Sequence, residues 1–477
     1  MTLDDTIAAV ATPLGEGGLA VVRLSGPQAL PIADRCFRPA GKNSPPPSAA
    51  RTHTIQYGQV HREGQRVDEV LLAVLRAPHT FTREDTVEIT CHGGLLPAKL
   101  ALDALLANGA RLAEPGEFTR RAFLHGRIDL AQAEAVADLI RSRTELALAA
   151  ANEQLAGRLS QRVNRLRDEM MQALAHLEAH IDFPDEDIAP DTQEQLAGRL
   201  ERGLACMDEL LRTADEGQIL RHGIRAAIVG RPNAGKSSLL NQLLGHDRAI
   251  VSPLPGTTRD TIEETANIRG LPVIFIDTAG LRDGSDAVEQ EGVRRSRAAL
   301  MRAEAVLHVL DGSEPLTAAD ETYLAEFAGK QRILVVNKID LSRKLTLPAL
   351  PAPRSHPAGE DARRTGPVSF VAPPVVEVCC LSGQGIETLK DAIKELVWSG
   401  EITAGMLQIM INSRHQDALN RARAATQRTL DVLRSGETPE LAAGELRIAV
   451  NAIGEIVGKT ATEDLLDSIF SQFCIGK

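Results

Sequence analysis

The chain has 477 residues, 43% of them apolar and 25% charged, with a formal net charge of −11. That balance excludes a mostly disordered chain, and at roughly 100–200 residues per domain the length suggests two to four domains. The acidic charge excludes a general nucleic-acid sponge, and 3% aromatic residues leave little for base-stacking platforms, so any RNA contact needs a local basic patch.

Four regions follow one another. Residues 1–118 mix short apolar runs with Gly-rich turns; 19–24 and 70–75 read as buried strands of an α+β domain, and Pro45-Pro46-Pro47 marks a loop between them. Residues 119–222 are helical. There Leu159, Val163, Leu166, Met170, Leu174, Leu177 and Ile181 recur at spacings of three and four, an apolar stripe on a long helix that should stop near Pro184. Residues 223–399 alternate strand-like and helical segments, with strands expected at 226–229, 273–276, 306–310, 333–336 and 375–379, the pattern of a parallel sheet covered by helices. Within them, 343–374 is rich in Pro, Ala, Arg and Ser and reads as a mobile surface insertion sooner than a lid. Residues 400–477 are helical again, with Leu446, Val450, Ile453 and Val457 in one stripe and Thr460-Ala461-Thr462-Glu463 fitting a capping box. Two helical regions around an α/β region imply one helical domain with the α/β domain inserted into it.

No apolar run approaches the ~18–20 residues of a membrane span, and the acidic start Met1-Thr2-Leu3-Asp4-Asp5 lacks a signal peptide's basic residues, so a cytoplasmic protein is expected. Cysteines at 36, 91, 206, 379, 380 and 474 form no zinc-ligand spacing.

Gly230-Arg231-Pro232-Asn233-Ala234-Gly235-Lys236-Ser237 matches G-x-x-x-x-G-K-[ST] between an expected strand and a helix opening at Ser237-Ser238. Backbone amides and the helix N-terminus attract a phosphate, Lys236 reaches the β/γ-phosphates, and the Ser237 hydroxyl ligates Mg²⁺. Downstream, Pro255-Gly256-Thr257-Thr258 supplies a Thr able to complete Mg²⁺ coordination, and Asp277-Thr278-Ala279-Gly280 can hold a Mg²⁺-bound water and meet the γ-phosphate. Asn337-Lys338-Ile339-Asp340 ends another strand, and Asp340 can accept from guanine N1–H and its 2-amino group, donors that adenine lacks. Together these motifs specify a Ras-like GTP-binding domain. Leu281 stands where Ras-type enzymes carry a water-orienting Gln, which leaves Arg282, Asp283, Asp286, Glu289 and Glu291 as candidates for that task.

The whole chain resembles the MnmE (TrmE) tRNA-modification GTPase family. The resemblance is carried by 5–13, Arg23-Leu24-Ser25-Gly26, Phe81-Thr82-Arg83-Glu84-Asp85, His92-Gly93-Gly94, 115–124, 129–135, Ile181-Asp182-Phe183-Pro184-Asp185-Glu186 and Phe473-Cys474-Ile475-Gly476-Lys477. It implies an N-terminal tetrahydrofolate-binding, dimerising domain (1–118), a discontinuous helical domain (119–222 and 400–477) and an inserted GTPase domain (223–399). It implies a homodimer that works with the FAD-dependent MnmG (GidA). The pair adds an aminomethyl-type (carboxymethylaminomethyl) group to C5 of the wobble uridine U34 of certain tRNAs, with the one-carbon unit from tetrahydrofolate in its 5,10-methylene or formyl form.

By resemblance, Ser252-Pro253-Leu254 joins the nucleotide-binding segment; Asn233, Ser252, Leu254 and Thr257 bind K⁺; Ser237 and Thr258 bind Mg²⁺; and Glu289 activates water. Arg23, Glu88, Arg127 and Lys477 contact folate, with Arg127 standing for an expected Lys and His125 for an Asn. Cys474 takes part in the modification chemistry. Cys379-Cys380 replaces a usual Ser-Ala in the base-contacting loop, which raises oxidation-sensitive nucleotide affinity as an expectation. For tRNA, Arg414, Arg421 and Arg428 recur every seven residues, either a phosphate-binding stripe or a solvated helix face. The rival reading is an Era/EngA-type ribosome-assembly GTPase, against which Cys474 and the single GTPase domain argue.

Overall fold

A computed structural model describes residues 4–182, 193–245, 263–276, 303–347, 373–398 and 404–477. It forms two compact units: Met1–Ala137 with Glu153–Leu211 and Arg414–Lys477, and Asp138–Asn152 with Arg212–Ser413.

The first unit opens with seven strands: β1 (Ile7–Val10), β2 (Leu19–Ser25), β3 (Phe37–Pro39), β4 (Thr54–Arg62), β5 (Gln65–Leu75), β6 (Thr86–His92) and β7 (Arg111–Leu112), in the order β3-β4-β5-β6-β2-β1-β7. Only the β1–β7 pair is parallel. Helices α1 (Ala29–Cys36) and α2 (Leu95–Ala107) supply Ile32, Ala33, Ala101 and Leu105 to a core shared with Val22, Leu24, Val60, Leu72, Val74 and Ile89. Both strands expected to be buried are only half buried: Val70 and Leu72 are buried while Leu71 is 45% exposed, and Leu19 is 67% exposed. The cause is the period-two alternation of a sheet covered on one face. The other face carries Ile55, Tyr57 and Leu71 in the open.

The same unit contains helices α3 (Glu117–Leu124), α4 (Leu130–Arg141), α5 (Glu145–Leu155, begun in the second unit), α6 (Arg158–Asp182) and α7 (Gln193–Leu211). On α6 the expected stripe is buried from Leu159 through Leu177 and Ile181 is half-buried, and the long helix ends at Asp182. The final helix, Glu463–Phe470, begins two residues later than a Thr460 cap would place it. Thr462 is the N-cap and accepts from Leu465 N, while the Thr460 hydroxyl donates to Asn451 O.

The second unit holds α8 (Ala214–His222), β8 (Ile224–Val229), α9 (Lys236–Leu244), β9 (Glu263–Ile268), β10 (Leu271–Ile276), β11 (Ala305–Asp311), α10 (Ala318–Glu326), β12 (Gln331–Asn337), β13 (Val375–Glu377), α11 (Ile386–Val397) and α12 (Ala404–Leu407). The strand order is β13-β12-β11-β8-β10-β9, parallel except for β9. The expected strands are all present. β9, which the alternation did not suggest, adds an antiparallel edge. Residues 138–152 and 212–222, expected in the helical domain, group with this sheet because Ala147, Leu220, Leu271, Trp398 and Met410 form one apolar cluster. Arg221 also pairs with Asp138 at 2.7 Å.

After α12, the chain returns to the first unit with α13 (Ser413–Ser435), α14 (Pro439–Val457) and α15 (Glu463–Phe470). The Leu446–Val457 stripe of α14 is buried. Among the described residues, no helix is long and apolar enough to cross a membrane.

Candidate functional site

Two loops meet at the carboxyl ends of the parallel strands, where open α/β sheets bind ligands. The loop after β8 needs its glycines. A Cβ on Gly230 would lie 2.3 Å from Val309 O, and one on Gly235 would lie 2.1 Å from Asn337 Nδ2, with φ at 145° and 101°. Asn233, at φ 64°, is the type of residue that tolerates the left-handed region. Lys236 Nζ donates to Gly230 O and Arg231 O at 2.8 Å each, which folds the loop around the ammonium. Ser237 and Ser238 are exposed on the first turn of α9, where a hydroxyl can meet a metal or phosphate. Ala234 is buried within the loop.

The second loop follows β12. Asn337 is buried and joins the two loops: its Nδ2 donates to Ala234 O at 2.9 Å, and its Oδ1 accepts from Cys380 N at 3.2 Å. Lys338 adopts φ 65°, Ile339 N donates to Val378 O, and Asp340 is exposed. Cys379 Sγ donates to Asp340 Oδ1 at 3.3 Å, so the cysteine side chain touches the carboxylate expected to read the base.

Cys379 and Cys380 both lie inside the second unit. Both are buried, and burial, with Cys379 beside it, pushes the Cys380 thiol up to about 11, which leaves Cys380 little thiolate. Ser252, Pro253, Leu254, Pro255, Gly256, Thr257, Thr258, Asp277, Thr278, Ala279, Gly280 and Glu289 lie outside the described residues, as do 348–372 of the insertion. Of the K⁺ and Mg²⁺ candidates, Asn233 and Ser237 are therefore the two with described positions.

In the first unit, residues from both chain ends converge. Arg23 and Glu88 are register partners across β2 and β6, paired at 2.8 Å. Arg23 Nη1 also donates to Gly476 O at 3.2 Å, and the guanidinium lies 5.6 Å from the Phe118 ring centroid. Gly476 seats the tail: at φ 99°, its Cβ would lie 2.5 Å from Val10 O. Phe473 is buried, while Gly116 N donates to Cys474 O at 3.4 Å and the Cys474 side chain is exposed. Burial, with Arg23 nearby, draws Lys477 below an ordinary lysine, against a weaker opposing pull from Glu88 and Cys474. Arg127 donates to Thr80 O at 3.0 Å and stands over Phe81, a ring packed in the same small cluster as Phe118. His125 Nδ1 donates to Thr82 O at 2.7 Å. The arrangement brings a carboxylate and several cations together over buried and half-buried aromatic rings, a set of charges that fits a heterocycle with amine donors and a carboxylate tail.

The arginine stripe is not a free phosphate-binding surface. Arg414 makes a bidentate pair with Glu134 at 2.8 Å, Arg421 pairs with Glu455 and Arg428 with Glu445. The heptad spacing aligned these arginines with carboxylates of neighbouring helices. Burial opposes charge on Glu134, yet His415 and Arg414 hold its carboxyl well below the usual range. Sequence reading also passed over Arg231 and Asp311, which belong to the nucleotide loops' ion pairs but to no fixed motif position.

Comparison with known proteins covers the whole chain. The family described as GTP-binding protein TrmE N-terminus matches residues 6–127, and the MnmE helical domain matches 130–474. The tRNA modification GTPase MnmE of Chloroflexus aurantiacus is 49% identical over 477 residues, covering 100% of both chains. The proteins of that name from Geobacillus kaustophilus and Geobacter sulfurreducens are 48% and 47% identical, again over 100% of each chain. With the helical-domain model matched over residues 130–474 and relatives 47–49% identical along their full lengths, the chain belongs to the MnmE family.

Proposed function

We propose that this chain hydrolyses GTP in the service of tRNA modification. It works as a cytoplasmic homodimer with an FAD-dependent MnmG (GidA) partner, placing an aminomethyl-type group on C5 of U34. The observation that carries this reading is full-length similarity to tRNA modification GTPases combined with two distinct chemical surfaces in one chain: a phosphate loop with its base loop, and a tail seated beside Arg23 and Glu88. The exposed apolar sheet face at Ile55, Tyr57 and Leu71 supports dimerisation through the N-terminal domain.

In the nucleotide site, Lys236 and the loop amides bind the phosphates, Asp340 selects guanine, Ser237 and Thr258 hold Mg²⁺, and Asn233, Ser252, Leu254 and Thr257 hold K⁺. These cations supply compensation for charge developing on the phosphates. Glu289 orients the attacking water, the task Leu281 cannot perform. Nucleotide contacts extend through Ser238, Pro253, Pro255, Gly256, Asp277, Thr278, Ala279, Gly280, Asn337, Lys338 and Ile339.

In the other surface, Glu88 accepts from the pterin amines, while Arg23, Arg127 and Lys477 bind the glutamate tail of a tetrahydrofolate, which supplies the one-carbon unit as the 5,10-methylene or formyl form. Cys474 stands exposed beside them, available as a nucleophile or to stabilise an adduct.

The test is mass spectrometry of tRNA nucleosides from cells lacking this chain, complemented with wild type or Cys474→Ser. Loss of the C5-modified wobble uridine, restored by wild type alone, is expected. An unchanged nucleoside profile in the deletion would sink the reading and favour ribosome assembly.

A further inference from the structure

Asp311 lies outside every nucleotide-contacting motif, yet it sits between the two nucleotide loops. It ends β11 with its side chain 5% exposed. Its Oδ1 accepts from Ser313 N at 3.0 Å and from the Ser313 hydroxyl at 2.6 Å. Its Oδ2 accepts from Lys338 Nζ at 2.6 Å and lies 3.7 Å from Arg231 Nη2. Burial opposes charge on Asp311, but the hydrogen bonds from Lys338 and Ser313 more than offset it, so the carboxyl sits below its ordinary value.

The two cations come from opposite ends of the site. Arg231 is the second residue of the phosphate loop. Its side chain is 14% exposed and is further held by Glu314 at 2.6 Å and Asp320 at 3.8 Å. Lys338 belongs to the base loop and holds φ 65°, a conformation a lysine keeps only when its surroundings fix it. The carboxylate between them gives movement of either loop an electrostatic cost at the other.

We propose that Asp311 is a positioning residue of the GTP site, coupling the phosphate loop through Arg231 to the base loop through Lys338. Seating the phosphates and seating the base then reinforce one another. The proposal rests on the reading that these loops bind GTP.

The test is a double-mutant cycle in the full chain, titrating GDP into Arg231→Met, Lys338→Met and the double variant, each with Asp311 intact and in an Asp311→Asn background. With Asp311 intact, the double variant should lose about tenfold less affinity than the product of the single losses. In the Asp311→Asn background the losses should multiply. Multiplicative losses with Asp311 intact would overturn the coupling, as would coupling that persists in Asp311→Asn, the outcome of a merely structural Asp311. Should Asp311→Asn fail to fold by thermal melting, Asp311→Ser serves as the background that lacks the carboxylate, with the same two outcomes expected. A wild-type chain that does not bind GDP would instead sink the underlying GTP reading, an outcome distinct from multiplicative losses.

Discussion

The nucleotide loops and the C-terminal seat both rest on a glycine that a Cβ would displace, but they are held in different ways. Gly235 lies in a loop fixed between the parallel strand β8 and the helix α9, with buried Asn337 bonded to Ala234 in that loop and to Cys380. Gly476 lies in the last residues of the chain, tied down by buried Phe473, by the Gly116–Cys474 backbone bond and by Arg23. A chain end frays unless anchored, whereas a loop between a core strand and a packed helix is preorganised by both. The first site is therefore shaped before its ligand arrives, while the second depends on a short tail staying docked.

The largest expected effect breaks one site alone. Gly235→Ala adds a clash to an unfavourable φ and should weaken GDP binding by about a thousandfold, leaving binding of 5-formyltetrahydrofolate unchanged in calorimetry. Acid should separate the two units next. His308 is fully buried, neither ring nitrogen has a hydrogen-bond partner among the described residues, and burial with Arg332 pushes it down to about 4 from 6.5. Between those values the unfolded chain binds a proton that the folded one does not. Stability of the second unit thus falls as pH drops from 6.5 to 4, by up to about 3 kcal/mol.

Glu134 acts in the same direction in the first unit but at lower pH. Its lowered value gives stability that is present above 4.5 and lost only as pH falls below it. Hydrogen exchange across pH should show the nucleotide sheet opening first, and His308→Phe should remove its slope between 6.5 and 4.

A smaller effect sharpens the tail's part. Gly476→Ala should lift the tail from Val10 and weaken folate binding by about tenfold, with GDP affinity intact. The smallest concerns Lys477, which loses its proton below an ordinary lysine's 10.5. Folate affinity should fall about threefold as pH rises through that lowered value, and Lys477→Arg should abolish the dependence.

What was legible in the sequence follows the same division. The phosphate and base loops are contiguous motifs at strand ends, so Gly235, Lys236, Asn337 and Asp340 could be read from spacing alone. Arg23 and Glu88 are brought together by antiparallel register between β2 and β6, a pair that resemblance named and spacing could not, while the docking of Gly476 on Arg23 was legible from neither. β4 was missed because its large apolar residues, Ile55 and Tyr57, face outward, and the strands read as fully buried proved one-sided. The arginine heptads left two readings open because periodicity reveals a helix face but not what that face meets. Asp311 was invisible because its importance lies in joining two loops and not in any motif of its own.

The most direct test of two separately built sites in one chain is calorimetric titration of 5-formyltetrahydrofolate and GDP into the full chain and into a form lacking 474–477. The full chain should bind both, and the shortened form should bind GDP with unchanged affinity while losing folate. Absence of folate binding by the full chain, or equal folate binding by the shortened one, would contradict the account.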